Sequence, residues 1–154
     1  MSSPIVALRD FTSRAFALAP MSLTMLVVRI TLALPFWKSG LTKWDGWFTL
    51  SFGAQALFED EFRLHIFGAE YPYPAPQAMA YASALGETVL PILLVLGLGT
   101  RYAALGLLFM TVIIQLTVPD GWQTYHLPWA AMTLTILTFG PGKAAVDYFI
   151  GVER

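Results

Sequence analysis

The chain has 154 residues, of which 56% are hydrophobic and only 12% charged, with a mean hydropathy of +0.62. Soluble domains carry about 25% charged residues, and a chain this short has no interior able to hide so much apolar surface from water. The net charge of −1 offers no basic excess to neutralise a phosphate backbone, which excludes nucleic acid as an expected partner. The absence of cysteine excludes disulfides, iron–sulfur clusters, c-type haem attachment and thiol relays.

Arg9 and Arg14 precede the first apolar run and mimic the start of a secretory signal. That run contains Arg29 and lacks a small-x-small cleavage site, so it reads as a retained first helix, from about Met21 to Thr42. Further apolar segments run from about Gln77 to Leu98, from about Arg101 to Val118 and from about Trp122 to Phe139. A span needs about 20 residues, within a range of about 17–25. The first three segments qualify; the fourth is weaker, with Pro128 near its start and Gly140-Pro141-Gly142 as its stop. A short amphipathic helix is expected over Lys143–Ile150. The expected architecture is all-α: a single integral membrane four-helix bundle over residues 1–154, with a long loop between helices one and two.

Lys and Arg set orientation. With the N-terminus inside, Arg9, Arg14, Arg101, Lys143 and Arg154 lie inside and Lys38, Lys43 and Arg63 outside, which favours N-in and C-in. Helices two and three are joined by little more than Gly99-Thr100-Arg101 and must be antiparallel neighbours. In the long loop, the Trp-, Phe- and Leu-rich stretch from Trp44 to Phe58 is expected in the interface or over the bundle. The run Tyr71-Pro72-Tyr73-Pro74-Ala75-Pro76 is expected to be extended, because alternate prolines forbid helix.

Arg29 and Glu87 are ionisable groups within apolar spans, which pair or face a cavity. Counted along their helices they lie about 12 and 16 Å from the same membrane face, so a mutual ion pair is expected. It is either a structural bridge that fixes helix register or a proton or ligand site. Pro91 cannot donate to the carbonyl of Glu87, nor Pro35 to that of Thr31, which frees two carbonyls near these charges or simply kinks the helices. Ala80 with Ala84, and Ala82 with Gly86, are small-xxx-small pairs that let helices approach.

His126 sits amid Trp122, Tyr125 and Trp129 at the outer end of helix four. An aromatic belt accounts for the Trp and Tyr; the histidine is an interface residue, a hydrogen-bond donor to a quinone head group, or a metal ligand. His65 follows Glu59-Asp60-Glu61, and Glu59, Glu61 and His65 form a weak candidate metal set without tight ligand spacing. Met21 and Met25 suit Cu(I) in principle, but at this spacing are more often core packing.

The chain resembles the DoxX family of small four-helix membrane proteins. The resemblance is carried by Arg29 and Trp37-Lys38-Ser39-Gly40-Leu41-Thr42-Lys43, by Glu87 to Pro91 with Leu96-Gly97-Leu98-Gly99-Thr100-Arg101, and by Phe139-Gly140-Pro141-Gly142-Lys143 with Asp147. Phe58-Glu59-Asp60-Glu61-Phe62, Met110 to Gln115 and Thr124 to Trp129 look like the sub-type encoded beside small secreted metal-binding peptides and their maturation enzymes. Where relatives commonly have Ser-Leu-Asp, this chain has Ala144-Ala145-Val146-Asp147, keeping the acid and losing the hydroxyl. The resemblance implies a bacterial inner membrane, a role in copper or related metal stress, and a link to quinone-dependent oxidation.

Three functions follow as expectations. In the first, the chain is an accessory subunit of a quinone-dependent oxidoreductase. His126 and Gln115, with Trp122, Tyr125, Lys38 and Lys43, would hold the quinone, and Arg29 and Glu87 would act catalytically on the coupled proton. In the second, the chain binds or transports a metal ion or small solute. In the third, it is a structural anchor whose charges set packing. Its expected partners are the lipid bilayer and other subunits or a second copy.

Overall fold

The computed structural model describes residues 5–6, 12–13 and 20–152. Arg9, Arg14 and Arg154, used above to judge orientation, lie outside the described residues.

Four helices form the bundle: α1 (Met21–Leu41), α3 (Pro76–Leu96), α4 (Thr100–Thr117) and α5 (Leu127–Phe139). A short helix α2 (Phe52–Ala56) lies in the long loop, and a single turn α6 (Val146–Phe149) closes the chain, shorter than the Lys143–Ile150 helix expected. The first three bundle helices begin and end within about two residues of their expected positions. They are the three among the described residues long and apolar enough to cross a membrane. Helix α5 has only 13 residues. A π-helical turn over Trp122–His126 leads straight into it, so the winding is unbroken from Trp122 to Phe139. Pro128 falls just where the π-turn passes into α5, and its missing amide leaves a carbonyl of that turn without a helical partner.

Helix α1 packs most extensively on α3, α3 on α4, α4 on α5 and α5 back on α1. The core between them is Met25, Leu32, Phe36, Leu94, Leu107 and Ile136 with small residues at the crossings. Ala80 and Ala84 are fully buried. Gly40 decides the closest approach of α1 to α3, because a Cβ there would stand 2.8 Å from the carbonyl oxygen of Glu87. This is the carbonyl that Pro91 leaves without its helical amide. The large apolar side chains left outside, among them Leu34, Val89, Leu105 and Phe109, face where lipid would lie.

The long loop is more structured than the sequence suggested. Residues Trp44–Gly46 (β1) and Thr49–Leu50 (β2) form one hairpin, and Arg63–Ile66 (β3) and Ala69–Pro72 (β4) another. The second turns through Phe67 and Gly68, both at positive φ, the two-residue geometry whose twist suits a hairpin. Its usual sequence signal is Asn-Gly, and the Phe at the first position hid it. Between the hairpins stand α2 and the turn Leu57–Glu61; Leu50 of β2, Phe58 of that turn and, from beyond β4, Tyr73 pack onto Ala80 and Ala84 of α3. Leu50, Ala54 and Phe58 of the stretch Trp44–Phe58 pack over the bundle while Trp47, Phe48 and Phe52 stay exposed, so both expected placements are represented. Of the run Tyr71–Pro76, expected to be extended, Tyr71 and Pro72 lie in β4, but Ala75 turns left-handed at φ +49 and Pro76 already opens α3 in its first turn, where a proline is tolerated.

Candidate functional site

The expected Arg29–Glu87 pair does not form. Among the described residues Glu87 pairs with Lys43, Nζ to Oε2 at 2.5 Å. Arg29 lies two turns away along α3, where Nη1 donates to the carbonyls of Leu94 (3.3 Å) and Val95 (3.4 Å) and Nη2 to that of Ala144. The cause is register. The first turn of α1 runs past the end of α3 and packs against Gly142, where Ser22 Oγ accepts from the Lys143 amide. Counting both depths from a common plane therefore set Arg29 too high. A guanidinium fits where it lies, because carbonyls of a helix's last turn have acceptor capacity to spare and carry the negative end of the dipole.

Arg29 belongs to a latch. Asp147 accepts from the amides of Gly99 and Thr100 and from Thr100 Oγ1, each at 2.8 Å. The Asp147 amide donates to Gly97 O at 2.8 Å. The carboxylate thus caps the N-terminus of α4, and the charge of Arg29 acts on it. Burial pushes the Asp147 carboxyl up. The bonds from Thr100 and Gly99, with the charge of Arg29, outweigh it and hold the group below its ordinary value. Gly97, at φ +74, leaves room for Arg29 and Ala145 that any side chain would fill. The links of this cluster tie α1, the end of α3 with the α3–α4 turn, and the C-terminal segment to one another.

The second buried charge cluster faces a cavity of about 420 Å³. Lys43 Nζ also reaches Ser39 Oγ at 2.9 Å, and Ser83 Oγ donates to Glu87 Oε1 at 3.3 Å. Ser39 and Lys43 are one turn apart on and just beyond α1, as are Ser83 and Glu87 on α3, so two polar stripes meet at one wall. Behind them Trp44 Nε1 donates to Thr88 Oγ1 at 3.0 Å, which fastens the residues that follow Lys43 and Glu87 to each other. The remaining wall is apolar and aromatic, with Phe36, Phe109, Met110 and Trp129. At the hairpin end Tyr73 O–H meets Thr117 Oγ1 at 2.5 Å. Burial pushes the Tyr73 phenol up, more than the bond to Thr117 lowers it, so it stays protonated at neutral pH.

The other expected site residues divide. His126 and Gln115 do meet, Nδ1 to Oε1 at 2.6 Å. They meet behind the cavity: the His126 ring lies 5.4 Å from that of Trp129, which lies 4.9 Å from Phe36. The pair braces the wall instead of lining it. Trp122, Tyr125 and Lys38 are exposed. His65 is engaged by Leu116 O at 3.1 Å and by Glu70 at 3.5 Å, away from any set with Glu59 and Glu61, which are exposed. Among the described residues no group of three or more His, Asp or Glu could hold a metal ion. Sequence reasoning named Lys43 and Glu87 separately and missed Ser39, Ser83, Tyr73, Thr117 and Trp129. The serines had a signal, polar residues one turn before each charge. The others meet only through tertiary packing.

A membrane bundle of four helices with a buried ion pair at the wall of an apolar cavity is the class these observations define. The chain belongs to the DoxX family, whose model matches residues 24–120. It is also similar to an uncharacterized protein of Haemophilus influenzae, 30% identical over 141 residues that make up 82% of this chain and 83% of that protein. No solved structure matches.

Proposed function

We propose that this DoxX-family membrane protein binds a lipophilic molecule of the quinone class in the Lys43–Glu87 cavity. It does so as an accessory subunit of a redox system in the bacterial inner membrane, with both termini inside, under metal or oxidative stress. One observation carries the reading: an apolar, aromatic cavity of about 420 Å³ with a buried ion pair in its wall. Ligand pockets span about 300–1,000 Å³ and combine apolar walls with a few convergent polar groups. An ammonium has three donors. Lys43 directs two at Glu87 and Ser39 and has a third for a ligand oxygen, while Glu87 can exchange a proton with a hydroxyl there. The chain has no cysteine to carry electrons, so the electrons belong to a partner, and this protein holds the ligand and the proton.

The test is extraction of the purified chain in mild detergent, with quinone and elemental analysis of the same sample. About one quinone per chain, lost in Glu87→Gln, is the expected result. Bound copper or zinc without quinone would replace this reading with metal handling.

A further inference from the structure

We propose that the cavity is loaded sideways from the bilayer, through a portal between α3 and α4, and that its ligand is therefore an uncharged, lipid-dissolved amphiphile. The inference rests on the cavity being a ligand site. It adds the route and the charge of what enters.

The end toward the hairpins is roofed. Phe58 and Tyr73 are each 6% exposed, and the Tyr73–Thr117 bond crosses that end. Strand β3 is strapped to α4 by the bond from His65 to the Leu116 carbonyl. The side between α1 and α3 is shut by the contact of Gly40 with the backbone of Glu87 and by the ion pair itself. The side between α3 and α4 is different. Ala82 on α3 and Phe109 on α4 both line the cavity and are both exposed, Phe109 to 67%, on the apolar surface that lipid would cover. Beneath them the helices meet through side-chain ends seated on glycines, with no hydrogen bond across among the described residues: Met110 Sδ where a Gly86 side chain would be, and Leu90 where a Gly106 side chain would be. Methionine is unbranched and adapts its shape easily, so this seam parts at small cost, whereas the roof requires hydrogen bonds to break.

Charge selects what passes. An ion pays heavily to enter hydrocarbon, and the destination offers no net charge to compensate it, because Lys43 and Glu87 already neutralise each other. A neutral head with hydrogen-bonding oxygens and an apolar tail fits both the route and the wall.

The native chain contains no cysteine, so a single introduced thiol reports the route directly. The full chain carrying Met110→Cys, in lipid nanodiscs, is treated with a neutral, lipid-soluble maleimide or with its sulfonated, membrane-impermeant counterpart. Phe67→Cys at the exposed hairpin tip is the control for water access. The neutral reagent is expected to label Met110→Cys and the sulfonated one to label only the control. Adding Ala82→Phe should slow the neutral reaction by about tenfold, equivalent to roughly 1.4 kcal/mol of barrier, and Tyr73→Phe should leave it unchanged. Labelling of Met110→Cys by the sulfonated reagent, labelling by neither, or a rate that responds to Tyr73→Phe and not to Ala82→Phe would overturn the portal. Size-exclusion elution of each variant as one sharp species confirms folding. Protection of Met110→Cys by a decyl-tailed quinone is read separately: a portal without protection removes the quinone and keeps the route.

Discussion

Two buried charge clusters sit in one small bundle, and they do opposite things with the same kind of residue. At one end, Arg29 and Asp147 are committed to backbone: carbonyls of α3 and Ala144 on one side, amides of Gly99 and Thr100 on the other. Toward the other end, Lys43 and Glu87 hold each other and two serines, and border empty volume. An ionisable group inside a membrane is a functional candidate by default. Here the default separates the two clusters only when joined to a second question, namely whether the charge faces backbone or a cavity. The latch answers backbone; the Lys43–Glu87 pair answers cavity, and under the proposed function Lys43 stands beside Glu87 where Arg29 was expected.

The largest effect that would test this contrast is loss of the latch. Arg29→Leu leaves Asp147 buried without its neighbouring cation and takes a donor from the carbonyls of Leu94, Val95 and Ala144, of which Leu94 keeps the Gly97 amide. Breaking a buried charge cluster by removing one partner costs about 3–5 kcal/mol. The expected outcome is a chain that aggregates on extraction or melts far below the native protein, by thermal size-exclusion analysis. A well-folded Arg29→Leu protein that had lost only ligand binding would return Arg29 to the functional site and erase the contrast.

Next in size is a double-mutant cycle across the cavity pair. Glu87→Leu strands a buried ammonium and Lys43→Met a buried carboxylate, and each should destabilise by about 2–4 kcal/mol, somewhat below the fully enclosed case because both groups border a cavity. The double variant should recover most of that stability, since replacing both charges by apolar groups is often neutral. It should nevertheless retain no quinone. Recovery of stability together with full ligand retention would make the pair a packing device and the chain a structural anchor.

Acid separates the clusters through Asp147. Its folded-state value is held below the ordinary carboxylate value near 3.8. The stability it contributes is therefore complete above about pH 4 and is lost as pH falls through the lowered folded value. Thermal stability should decline below pH 4, and Asp147→Asn should flatten that part of the profile at the cost of lower stability at pH 7. An unchanged acid limb in Asp147→Asn would mean that the cap does not control the acid response.

How far the sequence reached follows the same division. The bundle helices were legible because apolar length and Gly-Pro punctuation are local properties, and the short α3–α4 turn forced antiparallel neighbours. Glu87 and Lys43 were singled out, but their pairing was not legible. It depends on the register of α1 against α3, which Gly40 and the packing of Ser22 and Met25 on Gly142 fix, and no local spacing encodes that contact. His126 and Gln115, both named for a quinone head group, bond each other behind Trp129 and do not line the cavity, because their distance in sequence says nothing about which ring stands between them and it. The β3–β4 hairpin escaped notice because Phe67 occupies a left-handed position at φ +52, where Asn or Gly is the usual occupant.

The smallest test asks whether preorganisation, and not merely stability, distinguishes the two clusters. Thr88 Oγ1 accepts from Trp44 and donates to the Ala84 carbonyl at 2.7 Å; Thr100 Oγ1 donates to Asp147 at 2.8 Å. Thr88→Val and Thr100→Val are near-isosteric, and each should cost about 1 kcal/mol of stability through lost hydrogen bonds. Trp44 follows Lys43 and Thr88 follows Glu87, so loosening that pair moves both charged groups against the cavity. Affinity for a decyl-tailed quinone should fall about fivefold in Thr88→Val, the equivalent of roughly 1 kcal/mol. It should stay unchanged in Thr100→Val, whose hydroxyl serves only the latch. Equal losses of affinity in the two variants would mean that the latch and the cavity communicate through α3, and that the contrast between a structural end and a functional end is too sharp.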